Sequence, residues 1–249
     1  MRGRARAEIG ISEKHTGKKR TAMQKLKPRM AAAAAFAREG KRFADVGTDH
    51  AYLAVSLCES GFAPGGVASD IHKGPLDRAR QNIAAAGLSD RIVLHLGNGL
   101  DGLQAEAPED IYILGMGGEL IADILSRAPW VQNGNVRLIL QPMTHQRDLR
   151  TYLLGNGFSI LDETLTEEDG RIYQILCAAY DGNVRTWDDA ELTVGKINLA
   201  KGGEVLGRYC ENLASNLETA ATGIEKSGKS ADEQRRLAEK LRKIAGRTN

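Results

Sequence analysis

The chain has 249 residues, with 34 Lys and Arg against 32 Asp and Glu for a formal charge of +2. It holds no apolar run near the roughly 20 residues of a membrane span and no apolar secretory segment at its N-terminus, which predicts a soluble, cytoplasmic protein. The cysteines Cys58, Cys177 and Cys210 form no CxxC pair, so neither a zinc cluster nor a disulfide framework is suggested and no metal is expected.

The charge is unevenly placed. Residues 1–22 carry seven basic residues against Glu8 and Glu13, a net +5, which leaves −3 for residues 23–249. A nucleic-acid partner would therefore be held by local basic patches rather than by the field of the whole chain. The basic head itself reads as a disordered extension.

From residue 41 short β-rich runs alternate with helical segments. KRFADV precedes a helix near Tyr52–Ser60, GGVASD a helix near Pro75–Ala86, and RIVLHL the loop GNGLDGL. IYILG then precedes a helix near Glu119–Arg127, and VRLILQ one near Gln146–Leu154. This alternation predicts parallel βαβ units, an α/β sheet covered on both faces, and a ligand at the carboxyl ends of the strands. After Gly157, FSILDETL and RIYQILCAAY flank TEEDG, whose Asp169-Gly170 pair predicts a hairpin and hence an antiparallel end to the sheet. Glu167, Glu168 and Asp169 are expected to be a solvated turn.

Beyond Asp188 the β signal ends. Leu206, Cys210, Leu213, Leu217, Ala220 and Ile224 recur at spacings of four and three, and Leu237, Leu241 and Ile244 repeat the pattern on a helix carrying Arg235, Arg236, Lys240, Arg242 and Lys243. Two antiparallel helices joined by a polar loop account for both stripes. The pattern fits packing or dimerisation as well as it fits an RNA-binding arm.

If the strands are parallel, four segments meet at one sheet edge: Asp45 to His50, Ser69-Asp70, Gly97-Asn98-Gly99, and Gly115 to Gly118. Gly47 allows close backbone approach. Asp70, 25 residues after Asp45, stands where an acid accepts hydrogen bonds from ribose hydroxyls. Asn98 offers an amide to an adenine edge, and Gly117 and Gly118 leave the fourth strand's end open to a flat substrate. Singly, each also reads as a helix cap or turn.

The first turn decides between cofactors. A dinucleotide site uses GxGxxG, whereas this chain has Asp49 and Ala51 where later glycines would stand, and a carboxylate there repels pyrophosphate. S-adenosylmethionine has ribose and adenine but no phosphate, and its sulfonium is positive. The acidic turn suits it.

DVGTDHAYL, the later GPL with Asn82, GNGL, GMGG, LILQPM and EEDGRIYQIL resemble, in order and spacing, the bacterial TrmK-type tRNA (adenine-22-N1)-methyltransferases, closely over about residues 23–180. The resemblance implies a class I, Rossmann-like methyltransferase domain over 23–182 and a C-terminal helical coiled-coil domain over 188–249. It implies S-adenosylmethionine as cofactor, tRNA as partner, and methylation of N1 of an adenine in the D-arm region. Carried over by residue, it makes Asp49 the catalytic candidate, with Gly47, His50, Asp70, Asn98, Gly99, Gly115, Met116, Gly117 and Gly118 lining the cofactor and reaction site. LKPRMAAAA resembles the family's N-terminal helix, where Arg29 would touch tRNA or close the site, and Lys240, Arg242 and Lys243 would contact phosphates. Residues 1–22 precede the family-like sequence, and a monomer is expected. Two departures stand out: GNGL in place of the commoner GDGL, and QPM, with Met143, in place of QPN. The alternatives kept open are a methyltransferase of small molecules or proteins and a non-catalytic RNA-binding module retaining the fold.

Overall fold

A computed structural model describes residues 26–247; the basic segment 1–22 lies outside the described residues. The chain enters through a short helix α1 (Pro28–Ala34) and then alternates strand and helix: β1 (Phe43–Val46), α2 (Tyr52–Glu59), β2 (Gly66–Asp70), α3 (Lys73–Ala85), β3 (Ile92–Leu96), β4 (Asp110–Met116), α4 (Gly118–Ser126), β5 (Arg137–Pro142) and α5 (Gln146–Gly155). Two long strands follow, β6 (Phe158–Glu168) and β7 (Arg171–Tyr180), and then four helices: α6 (Asp189–Val194), α7 (Lys196–Lys201), α8 (Glu204–Lys226) and α9 (Asp232–Ala245). Observed helix ends lie within about two residues of the predicted ones.

The strands form one seven-stranded sheet in the order β3-β2-β1-β4-β5-β7-β6. β1 to β5 are parallel, while β7 runs antiparallel to both β5 and β6. The FADV strand is buried throughout, as are LILQP in β5 and the first four residues of β4, because helices cover both faces and leave no wet side for alternation. One apolar layer packs Ile121, Ile124, Leu149 and Leu153 from α4 and α5 on the sheet. The opposite layer uses Leu53, Leu57, Ala79 and Ile83 from α2 and α3. The strand order reverses between β1 and β4, so their carboxyl ends diverge into a crevice, the switch point at which such sheets take ligands.

The β6–β7 turn forms as expected, with Asp169 at φ 50° and Gly170 at φ 73°, both left-handed as a two-residue hairpin turn requires. Its acids are not merely a solvated turn. Glu168 is buried and accepts a hydrogen bond from the backbone N–H of Arg29 at 2.9 Å, and Glu167 pairs with Arg208 at 2.5 Å. Only Asp169 of the three is exposed without such a role.

The C-terminal helices pack on each other and on the outer hairpin. Arg235 meets Glu225 while Arg242 meets Glu218 and Glu211, a descending register that makes α8 and α9 antiparallel. Leu206, Cys210 and Ala214 of α8 bury against Ala238, Leu241 and Ala245 of α9, with Leu165 and Ile172 of the hairpin beneath. The stripe differs from the sequence expectation at one place. Ala220 is exposed, and the small residues Ala214 and Ala221, seven apart, are buried instead. Leu213 and Leu217 flank it, half-buried.

A polar cluster absent from the sequence reading ties these helices to the sheet. Arg150 and Glu163, neither exposed at all, form an ion pair at 2.6 Å. Arg150 also donates to the carbonyls of Leu192 and Thr193, Glu163 accepts from the N–H of Ile197 at 3.0 Å, and Gln174 donates to Thr193 O and the Tyr209 hydroxyl.

Candidate active site

The turn after β1 is held by main-chain bonds: the N–H groups of Gly47 and Thr48 both donate to Ser69 O at 2.8 Å, fastening the carboxyl ends of β1 and β2 together. Gly47 sits at φ 74°, and a Cβ there would collide with the Met116 methyl across the crevice. The positive φ is what favours glycine, since the Met116 methyl ends a flexible side chain that can move aside. Asp45, buried beneath this turn, accepts a hydrogen bond from the Thr48 hydroxyl at 2.7 Å. Burial pushes its carboxyl up to about 6, against the Thr48 bond and helped by the nearby charge of Asp70.

Asp49 and His50 follow in a strained stretch, with His50 and Ala51 both left-handed at φ 63° and 56°. Asn82 braces it by donating to His50 O at 2.8 Å, and the His50 ring stacks on Tyr52 with centroids 5.4 Å apart. His50 Nε2 lies 3.2 Å from Asp49 Oδ1, and the Asp49 side chain is 78% exposed. The N-cap of α2 is Ala51, with no side-chain cap, so the helix-cap explanation for Asp49 does not hold. Its carboxylate is presented to the crevice.

The remaining predicted residues stand along the same edge. Asp70 Oδ1 accepts from the His72 N–H at 2.7 Å, turning the chain into α3, and its second oxygen holds no hydrogen bond among the described residues. The carbonyl of Asp70 accepts from Gly97 N–H, which brings Asn98 and Gly99 beside it, and the Asn98 side chain is exposed. On the other side of the switch point, Gly115 N–H donates to the Gln141 side-chain oxygen at 3.1 Å, and Met116 O accepts from Met143 N–H at 2.8 Å. Gly117 opens α4, and Gly118 packs so tightly on the His145 and Thr144 carbonyls that no Cβ fits.

A cavity of about 270 Å³ lies at this switch point, lined among others by Arg29, Asp45, Gly47, Asp49, Leu53 and Gly115. Arg29 projects into it from α1, its guanidinium donating to Gln141 at 2.9 Å and lying 5.3 Å over the Tyr173 ring. Its Nε, 3.9 Å from Glu168 Oε1, is buried without a hydrogen-bond partner, as is the Ser69 hydroxyl. The cavity thus faces two acids with one arginine. A zwitterion with an ammonium, a carboxylate and a further positive centre is its complement.

Lys240, Arg242 and Lys243 are not part of this cavity. All three lie on α9 and already hold carboxylates: Lys240 meets Asp188 at 3.0 Å, Arg242 meets Glu211 and Glu218, and Lys243 meets Glu239 at 2.6 Å. Conversely, Gln141, Glu168 and Tyr173 hold Arg29 at the site, yet the sequence reading did not select them, and it gave Asp45 a place at the sheet edge but no role. The available signal was a polar residue closing an apolar strand, as Gln141 closes LILQ.

Known proteins share the architecture. A methyltransferase-domain family matches residues 26–176. The tRNA (adenine(22)-N(1))-methyltransferase of Bacillus subtilis is 34% identical over 173 residues, covering 70% of this chain and 73% of that protein. A Streptococcus pneumoniae protein assigned as a tRNA (m1A22) methyltransferase, solved in complex with S-adenosyl-L-methionine, superposes with a TM-score of 0.77 at 31% identity, over 86% of this chain and 98% of its own. The B. subtilis m1A22 tRNA methyltransferase TrmK superposes at 0.77 with 26% identity, over 90% and 98%. With this sequence agreement over most of both chains and a matching Rossmann-like sheet, the chain belongs to the tRNA (adenine(22)-N(1))-methyltransferase family.

Proposed function

We propose that the protein transfers a methyl group from S-adenosylmethionine to N1 of an adenine in tRNA, at position 22 as the B. subtilis relative's name states. The observation that carries the reading is the cavity in which Arg29 faces Asp45 and Asp49 at the β1–β4 switch point. When bound, S-adenosylmethionine supplies an electrophilic methyl on a positive sulfur. Arg29, held by Glu168 and Gln141 at the cavity wall, is the group for its carboxylate, and Asp45 and Asp49 offset its positive charges. In this reading the second oxygen of Asp70 takes the ribose hydroxyls, and the Asn98 amide, with Gly99 beside it, takes the adenine edge.

Adenine N1 carries a lone pair at neutral pH, so transfer needs no prior deprotonation and no metal. Positive charge then develops on the ring. Asp49 accepts a hydrogen bond from the exocyclic amine, which raises electron density at N1 and stabilises that charge, and it can take the amine proton afterwards. His50 orders the Asp49 carboxylate from 3.2 Å. Gly115 and Gly117 leave the strand end open for the base, whereas Gly118 is closed off against His145 and serves packing; the base must leave its stack because N1 lies on the pairing edge.

Within this reading, residues 23–182 form the methyltransferase domain and 188–249 a coiled-coil domain that positions tRNA. Lys240, Arg242 and Lys243 act by exchanging carboxylates for phosphates. The protein works as a cytoplasmic monomer; among the described residues no helix is long and apolar enough to cross a membrane. The test is transfer from methyl-labelled S-adenosylmethionine to unmodified tRNA, with the product nucleoside mapped by mass spectrometry. One 1-methyladenosine at position 22 is expected, and label recovered only in protein or small molecules overturns the reading.

A further inference from the structure

A second cleft, of about 440 Å³, opens between the end of β5, the β6–β7 turn and one face of α8. Its volume falls within the roughly 300–1,000 Å³ of small-ligand sites. It shares a wall with the cofactor cavity: Met143 and Tyr173 line the cleft, and Arg29, which lines the cavity, touches Met143 Sδ at 3.5 Å and lies over Tyr173.

The cleft is where unspent polar groups collect. The Arg171 guanidinium, the Tyr173 hydroxyl and the amides of Asn212 and Asn216 hold no side-chain partner among the described residues. On the helical pair, by contrast, Arg208, Arg235, Lys240, Arg242 and Lys243 each hold a carboxylate, while Arg236 and Lys226 hold none among the described residues and do not line this cleft. Asn212 and Asn216 stand four apart on α8 and so present their amides on one face. Each amide offers a donor and an acceptor together, the pairing a base edge requires. An aromatic ring beside an arginine is a platform for an unstacked base, and an unpaired guanidinium takes a phosphate. Extruding one base from a stack leaves its neighbour exposed on that side, and this cleft lies next to where the target base would enter.

We propose that the cleft is a specificity subsite holding a second nucleotide of the RNA substrate, one flanking the methylated adenine. Arg171 takes its phosphate, and Asn212 and Asn216 read its base. The proposal rests on the tRNA-methylation reading and extends it.

The test compares wild type with Arg171→Ala and with Asn212→Ala/Asn216→Ala, using unmodified transcript tRNA for binding and for methyl transfer. Both variants should weaken tRNA binding roughly tenfold while cofactor affinity and melting temperature stay at wild-type values. Arg171→Ala should also lower the slope of log affinity against log salt by about 0.7–0.9, the loss of one phosphate contact. The double variant should lose discrimination among the four bases at one flanking position. Wild-type tRNA affinity in both variants overturns the subsite, whether or not the protein methylates tRNA. If the variants weaken RNA binding but wild type transfers no methyl group, the subsite stands and the activity reading falls. Because Arg171 lies on the hairpin and the asparagines on α8, a folding defect in one variant leaves the other informative.

Discussion

Replacing Glu163 by Gln isolates the charge that joins the sheet to the C-terminal helices. Gln keeps the shape and the acceptor for Ile197 N–H, but it leaves the Arg150 guanidinium, wholly buried, with no counter-charge. Breaking one side of such a pair costs about 3–5 kcal/mol. For a chain of this length each kcal/mol lowers the melting temperature by about 2–4 °C, so a fall of about 6–20 °C is expected. The assay is thermal unfolding followed by circular dichroism, with cofactor titration at 25 °C as the control. Neither residue lines the cofactor cavity, so cofactor affinity should be unchanged. Arg150→Met/Glu163→Leu should cost less than the sum of the single changes, since the charges leave together, though the carbonyls of Leu192 and Thr193 then lose a donor. A Glu163→Gln protein that melts within 2 °C of wild type would refute the reasoning.

Asp70→Ala should weaken S-adenosylmethionine binding by roughly 10- to 150-fold in calorimetry, the equivalent of about 1.5–3 kcal/mol for a hydrogen bond to a charged group; unchanged affinity removes Asp70 from the ribose site. Asp45 titrates near 6 in the folded protein against about 3.9 unfolded, so its contribution to stability is full below about pH 4 and is lost as the pH rises through 6. Cofactor affinity should rise through the same window as the carboxylate forms, and Asp45→Asn should flatten that profile. Replacing Lys240, Arg242 and Lys243 together by Ala should weaken tRNA binding, with a change in salt slope smaller than the roughly 2–3 of three free phosphate contacts, because each cation gives up a carboxylate to bind. A full three-contact change would show the carboxylate pairs to be immaterial.

The sheet was legible because parallel strands covered on both faces read as unbroken apolar runs, and FADV and RLILQP are nearly that. Asp169-Gly170 announced the hairpin because few other pairs accept two left-handed residues in succession. What the sequence concealed depends on distant partners. Arg29 and Glu168 are separated by 139 positions, and nothing local to the turn marks Glu168 as buried. The neutralisation of Lys240 by Asp188 and of Arg242 by Glu211 and Glu218 was hidden for the same reason, since those carboxylates come into reach only once the helices are packed, whereas the Lys243–Glu239 pair is local to α9. Asp49 was selected from an unusual residue type in a glycine turn. Its freedom from capping needed the backbone, which places Ala51 at the N-cap.

The most direct measurement is the single-turnover rate of methyl transfer to tRNA by Asp49→Asn. Asparagine keeps the size and a hydrogen-bond acceptor but cannot stabilise positive charge on the adenine or take a proton from its amine. With the side chain 78% exposed and α2 uncapped by it, folding and cofactor binding should be near wild type while the rate falls by roughly 10²-fold or more. A rate within a few-fold of wild type would contradict the assignment of Asp49 as the catalytic group.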